Sequence, residues 1–141
     1  MFWLLAIFMT VLMSVTSITV STHISSNEIA QTEVNQQAIQ TIAYINSVND
    51  YLYQHPQSEG VISDDLLFVK APNGAKNVLQ NGRVYVYQPY KIGLLWALTQ
   101  ESLTSALIGH VDAGQLFDVA GTNMGVPVPG IIPDGYIVYL N

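Results

Sequence analysis

Residues 81–89 read Asn-Gly-Arg-Val-Tyr-Val-Tyr-Gln-Pro, and this stretch decides the fold class. Asn81-Gly82 is a tight-turn pair, since both residues tolerate the positive φ that such turns require. From Val84 to Tyr87, β-branched and aromatic residues alternate, the composition of a strand, and Pro89 ends it because proline has no N–H to donate. Tyr85 and Tyr87 are two residues apart, so they point to one face of a sheet.

Working outward, Pro133-Asp134-Gly135 turns into Tyr136-Ile137-Val138-Tyr139-Leu140, a second strand of the same composition. Two shorter strands are expected at 66–70, closed by Pro72-Asn73-Gly74, and at 116–120. Residues 121–130 hold Pro127 and Pro129 and read as a stiff, turn-rich linker. A helix is expected over 27–54. Val34, Ala38, Ile45, Val48 and Leu52 recur at helical spacings there, Ile42 lies beside them, and Gln36, Gln37, Gln40 and Asn46 lie opposite. Ser25, Ser26 or Asn27 can cap its start, and Pro56 stops it. A second helix is expected over 93–108, with Leu95, Leu98, Leu103, Ala106, Leu107 and Trp96 on one broad face and Gly109 as its C-cap. Helices and short strands in this order predict an α+β fold. It comprises an N-terminal transmembrane helix and a stalk helix, then a small domain with an antiparallel sheet and one further helix.

The transmembrane element is read from the first 20 residues, which carry no charged side chain and would span about 30 Å as a helix, the hydrocarbon thickness. Phe2, Leu5, Phe8, Leu12 and Val15 supply the apolar contacts, and Trp3 lies where an interfacial aromatic belongs. Ten strongly apolar positions favour insertion by roughly 3–6 kcal/mol, partly offset by Thr10, Ser14, Thr16, Ser17 and Thr19. The expected organisation is an anchor over 1–21 and one domain over 22–141, with a stalk helix at 22–55 and the sheet and second helix at 61–141. A cleavable signal peptide and a buried helix are the rival readings. No Lys or Arg precedes the apolar run and no small-x-small cleavage site follows it.

Only 10% of the 141 residues are charged, and the net charge is −6. The segment 21–69 holds Glu28, Glu33, Asp50, Glu59, Asp64 and Asp65 without a Lys or Arg, whereas beyond it bases and acids balance. Such a segment is repelled by phosphate backbones and anionic lipid, so nucleic acid is not expected as a partner. The absence of cysteine excludes disulfides and thiolate chemistry.

No constellation for chemistry stands out, and neither an enzyme nor a cofactor is expected. His23, His55 and His110 have no metal-ligand spacing. Asp64-Asp65 could be half of a carboxylate site, but a loop or cap before Leu66 is the simpler reading. Ser102, Ser105, His110 and Asp112 are triad residue types that cluster without a nucleophile elbow or an oxyanion turn. The tyrosines say more. Either the Tyr85/Tyr87 face packs under the helices, or Tyr51, Tyr85 and Tyr87 form an amphipathic surface for docking a partner.

An anchor without a basic flank, Gly82-Arg83-Val84-Tyr85-Val86-Tyr87, the Gly93-Leu94 entry to a helix and Ile132-Pro133-Asp134-Gly135-Tyr136-Ile137-Val138 together resemble the PilM family of conjugative-plasmid thin pili, which are type IVb. The resemblance implies a single-pass inner-membrane component of the pilus assembly apparatus with its domain in the periplasm. It would support pilus formation and mating, with other pilus proteins as partners and self-association left open. No catalytic residue carries over. Two other readings stay open, a minor pilin and a membrane-tethered envelope hydrolase. A pilin would need a processed leader and an acidic fifth mature residue, where Leu5 stands if Met1 begins the segment.

Overall fold

The computed structural model describes residues 2–103 and 107–141, with side chains described at Trp3, Ile7 and from Asn27 onward. The chain divides into two compact units, 1–33 and 34–141. Helix α1 runs Phe2–Gln54 as one piece. The expected break between anchor and stalk, with a cap near Ser25–Asn27, does not occur. No Gly or Pro lies between residues 2 and 54, and cap-forming residues permit a helix start without forcing one. The side chains of Phe2, Leu5, Phe8, Leu12 and Val15, on which the expected anchor rests, lie outside the described ones; Trp3 is exposed. Among the described residues, no helix is long and apolar enough to cross a membrane.

In the unit 34–141, six antiparallel strands form one sheet: β1 (Lys76–Gln80), β2 (Arg83–Pro89), β3 (Leu107–Asp112), β4 (Gln115–Phe117), β5 (Asn123–Pro127) and β6 (Tyr136–Leu140). Their spatial order is β1-β2-β6-β3-β4-β5. The strand last in sequence is therefore central, paired on one side with β2 (Tyr87 opposite Val138) and on the other with β3 (Gly109 opposite Val138). The Asn81-Gly82 turn joins β1 to β2 as expected, with Asn81 and Gly82 both at positive φ (54° and 75°). No strand is predicted for Lys76–Gln80, although an apolar run before an Asn-Gly pair is a hairpin signal. Asn77 and Gln80 blur its alternation.

The register gives the sheet two distinct faces. Val84, Val86 and Gln88 of β2 face the helices together with Ile137 of β6 and Ile108 of β3. Tyr85, Tyr87, Val138, Leu140 and Val111 face the other way. On the helix side, the C-terminal half of α1 lays down Val34, Ala38, Tyr44, Ile45 and Val48, and a short helix α2 (Leu94–Glu101) adds Leu94, Leu95, Ala97 and Leu98. Each fully buried aliphatic chain here contributes roughly 1.5–3 kcal/mol. On the opposite side, Leu116 and Ile132, with Met124, Val126 and Val128 beside them, close over the two tyrosines. Both faces being covered, β2 is buried from Val84 to Gln88 without interruption.

Three expectations fail for one reason, namely that tertiary partners claimed the backbone. The second helix stops at Glu101 rather than 108. Leu103 adopts φ 51°, and Leu107–Asp112 is drawn into the ladder beside β6. Gly109 is accordingly no helix cap: a Cβ there would sit 2.3 Å from the Phe117 carbonyl oxygen and 2.9 Å from Leu116 Cγ, so only glycine fits. Residues 123–127 are an edge strand, β5, where a linker was expected, and an edge is where a sheet tolerates Pro127. Residues 66–70 are not a strand; a 3-10 turn at Asp64–Leu66 leads into irregular backbone.

Gly109→Ala is expected to lower stability by at least roughly 1–3 kcal/mol through this overpacking. The measurement is the urea midpoint; an unchanged midpoint would contradict the β3–β4 register.

Candidate functional site

Among the described residues, the histidines and the serine singled out for chemistry are not gathered in one place. The Ser102 hydroxyl donates to the Thr99 carbonyl (3.1 Å), and Ser105 lies outside the described residues. His110 lies on β3 with its ring 5.7 Å from that of Phe117, while His55 stacks on Tyr51 at 4.6 Å at the end of α1. The side chain of His23 is outside the described ones. Among the described residues, no group of three or more His, Asp or Glu could hold a metal ion.

Asp64 has a different task. Its carboxylate accepts a hydrogen bond from the Tyr44 hydroxyl (3.2 Å) through one oxygen and from the Ala71 amide (3.3 Å) through the other. Tyr44 is fully buried on α1, and its oxygen in turn accepts from Asn77 Nδ2 of β1 at 2.7 Å. The Asn77 carboxamide also clasps the backbone of Ile62, accepting from its N–H and donating to its carbonyl, both at 2.8 Å. One tyrosine thus ties helix, sheet and the 62–71 loop together. Desolvation, opposed by the Asn77 hydrogen bond and reinforced by the Asp64 charge, pushes its phenol from 10 up to about 12. It remains a neutral donor across the physiological range.

A second tie fixes the loop further along. The Val69 amide donates to Ser47 Oγ at 3.1 Å, and Leu67 is buried in the core. Phe68 is held between these two anchored residues and points outward, 99% exposed. Leu66, two residues earlier, is 58% exposed. Phe68 is therefore displayed by a pinned loop.

Between this loop and α1 runs an open groove of about 480 Å³. Its helical wall is built at i, i+3 and i+4 spacings from Ala43, Asn46, Asp50, Tyr51 and Gln54, and its other wall from Leu66, Phe68 and Val69. Tyr51, a candidate contact from the sequence, lines this groove. Phe68 and Leu66 were missed because a run of Leu-Leu-Phe-Val reads as a strand; no periodic signal marks a residue that is forced outward by its neighbours' hydrogen bonds. On the other flank of the helix end lies a shallower hollow of about 390 Å³ beside Tyr53 and Pro56.

Tyr85 and Tyr87 do not share that surface. They are only 6% and 7% exposed, packed among Val111, Leu116, Ile132, Val138 and Leu140. The Tyr85/Tyr87 face is thus neither an open docking surface in the single chain nor the face that packs under the helices, because the alternation assigns Val84 and Val86 to the helices and leaves the rings for the segment 116–132 to cover. Burial, and behind it the neighbouring Tyr136, raises the Tyr87 pKa.

A model of the PilM family matches residues 8–140. A crystal structure described as PilM from Escherichia coli B7A is similar at 36% identity and a TM-score of 0.65, covering 78% of this chain and 92% of that one. A second, described as a pilM protein from Pseudomonas aeruginosa 2192, aligns at 24% identity with a TM-score of 0.44, over 76% of this chain and 92% of that one. A search of curated proteins finds no match.

Two outcomes are expected from the Tyr44 tie. Tyr44→Phe leaves the Asn77 and Asp64 groups without their shared partner and costs about 1–3 kcal/mol at neutral pH, read as a fall in Tm. The sign of the pH effect follows from a folded-state pKa raised from 10 to about 12. The tyrosine's contribution is whole below pH 10 and is lost as pH rises through 12. Melting curves taken from pH 8 upward should show wild-type Tm falling beyond pH 10, with a shallower fall in Tyr44→Phe. Parallel slopes in the two proteins would remove this group from the explanation.

Proposed function

The chain belongs to the PilM family, and we propose that it is a non-enzymatic component of a type IVb thin-pilus assembly apparatus used in plasmid conjugation. It is held to the inner membrane by residues 1–21 and docks other pilus proteins through its periplasmic domain. Membership over residues 8–140 is the observation that carries this reading. The uncharged N-terminal run supports the anchor, and an apolar patch displayed beside a groove supports a role in binding. The groove beside Phe68 is the docking site of this proposal. Phe68 and Leu66, displayed together on a pinned loop beside a groove with a polar rim, form the kind of apolar patch that marks an interaction surface.

A second reading, a pilin-like structural subunit, draws support from a single feature. Helix α1 runs 53 residues, and its C-terminal half packs on an antiparallel sheet, an arrangement suited to a fibre subunit. Fractionation separates the two: an assembly factor stays with inner membranes, whereas a subunit appears, processed, in sheared fibres.

Phe68→Ser is the sharper test. The side chain touches water on nearly all sides, so Tm should change by less than roughly 0.5 kcal/mol's worth of stability. Thin-pilus formation and mating in liquid should fall at least about tenfold, the scale of a buried aromatic lost from an interface. Normal mating with this variant would show that the groove is not used.

A further inference from the structure

Resting on that docking reading, we infer that the groove takes a basic amphipathic segment of a partner protein. Its apolar side chains pack on Leu66, Phe68 and Tyr51, and a Lys or Arg faces Asp50.

Shape sets the size of the occupant. From Ala43 to Gln54 the helical wall extends ~16 Å, the length of three helical turns or about five extended residues. This is a short linear segment rather than a folded face. Its two walls differ in chemistry: the loop wall is apolar through Leu66, Phe68 and Val69, and the helix wall is polar through Asn46, Asp50 and Gln54 with the Tyr51 ring among them. A segment with one apolar and one polar side matches both.

Charge sets its sign. Asp50 is exposed and is the carboxylate of the groove, Asp65 is exposed on the loop that forms the far wall, and His55, stacked on Tyr51, also lines the groove while no Lys or Arg does. The bias extends beyond these residues. Between Val34 and Val69 the chain carries Asp50, Glu59, Asp64 and Asp65 and not one Lys or Arg, and Lys70, at the loop's exit, is the first base to appear. A field of one sign along a groove draws in the opposite sign and repels its own. A second copy of this chain would bring the same acids against each other, and an anionic lipid or nucleic acid would bring phosphates. A cationic protein segment is the occupant that satisfies both the apolar wall and the field.

The test uses the full chain in nanodiscs of zwitterionic lipid and two fluorescent peptides of ~14 residues, long enough as helices to span the groove. The peptides share one apolar face; one carries lysines along its flank and the other glutamates. Fluorescence anisotropy should give about tenfold tighter binding of the lysine peptide at low salt, the ratio shrinking at high salt and in Asp50→Asn. Phe68→Ser should weaken both peptides. Equal affinities, a ratio unchanged in Asp50→Asn, or no binding of the lysine peptide would each overturn the inference. A photo-crosslinking amino acid placed at Phe68 in cells separates this failure from failure of the docking reading. Crosslinks to a pilus protein alongside equal peptide affinities would sink only the basic partner, whereas absent crosslinks together with normal mating of Phe68→Ser would sink docking itself.

Discussion

The seating of α1 on the sheet is the constraint on which the rest of the domain depends, and polar contacts set its register. Gln88 is the one polar side chain that β2 turns toward the helices. Gln37 Nε2 donates to its Oε1 at 3.3 Å, and Gln88 Nε2 donates to Thr41 Oγ1 at 3.2 Å, while the threonine proton returns to the Gln37 carbonyl at 2.9 Å. One turn further along, Tyr44 meets Asn77. Aliphatic contacts alone would let the helix slide. Sliding by one residue here would strand several buried amides and hydroxyls, each at about 1–3 kcal/mol. Among the described residues, no buried side-chain polar atom lacks a partner.

Because Tyr44 belongs both to this seam and to the 62–71 loop, the groove inherits its geometry from the core. Asp64 and Ser47 hold the loop through backbone N–H groups of Ala71 and Val69, so Leu66 and Phe68 are positioned before any partner arrives. A prearranged display of this kind lowers the ordering cost of association, which is where much of the gross contact energy of a binding surface is otherwise lost.

The sheet places a different demand on folding. With β6 between β2 and β3, the two halves of the sheet join only when residues 136–140 insert between strands that precede them by some 50 and 30 positions. Long-range pairing of this sort folds slowly and cooperatively, which makes the covered tyrosine face as much a product of the final strand as the helix-packed face. Asn77, in β1, shows the same coupling from the sheet edge: its carboxamide serves the Ile62 backbone while Gly60 and Leu79 exchange backbone hydrogen bonds, so the outer edge of the sheet is closed by the loop that carries Phe68.

Local chemistry was enough to read some of this from the chain. Asn81-Gly82 and the alternation of 84–87, the strand 136–140, the buried stripe through Val34, Ala38, Ile45 and Val48, and the α+β class all follow from turn propensity and periodicity over adjacent residues. Tertiary structure alone decided the remainder. Helical spacing places Gln37 on the outer face, yet it is buried, because its partner Gln88 is 51 positions away. Leu107 and Ile108 look helical until β6 offers them a ladder, and Tyr85 and Tyr87 look like a surface until residues 116–132 cover them. Phe68 looks like part of a strand until Ser47 and Asp64 take the neighbouring amides. A residue's own preferences are written in its neighbours along the chain, but which backbone N–H finds which acceptor, and which side of a strand meets water, are set by groups far away in sequence that only the folded chain brings within 3 Å or so.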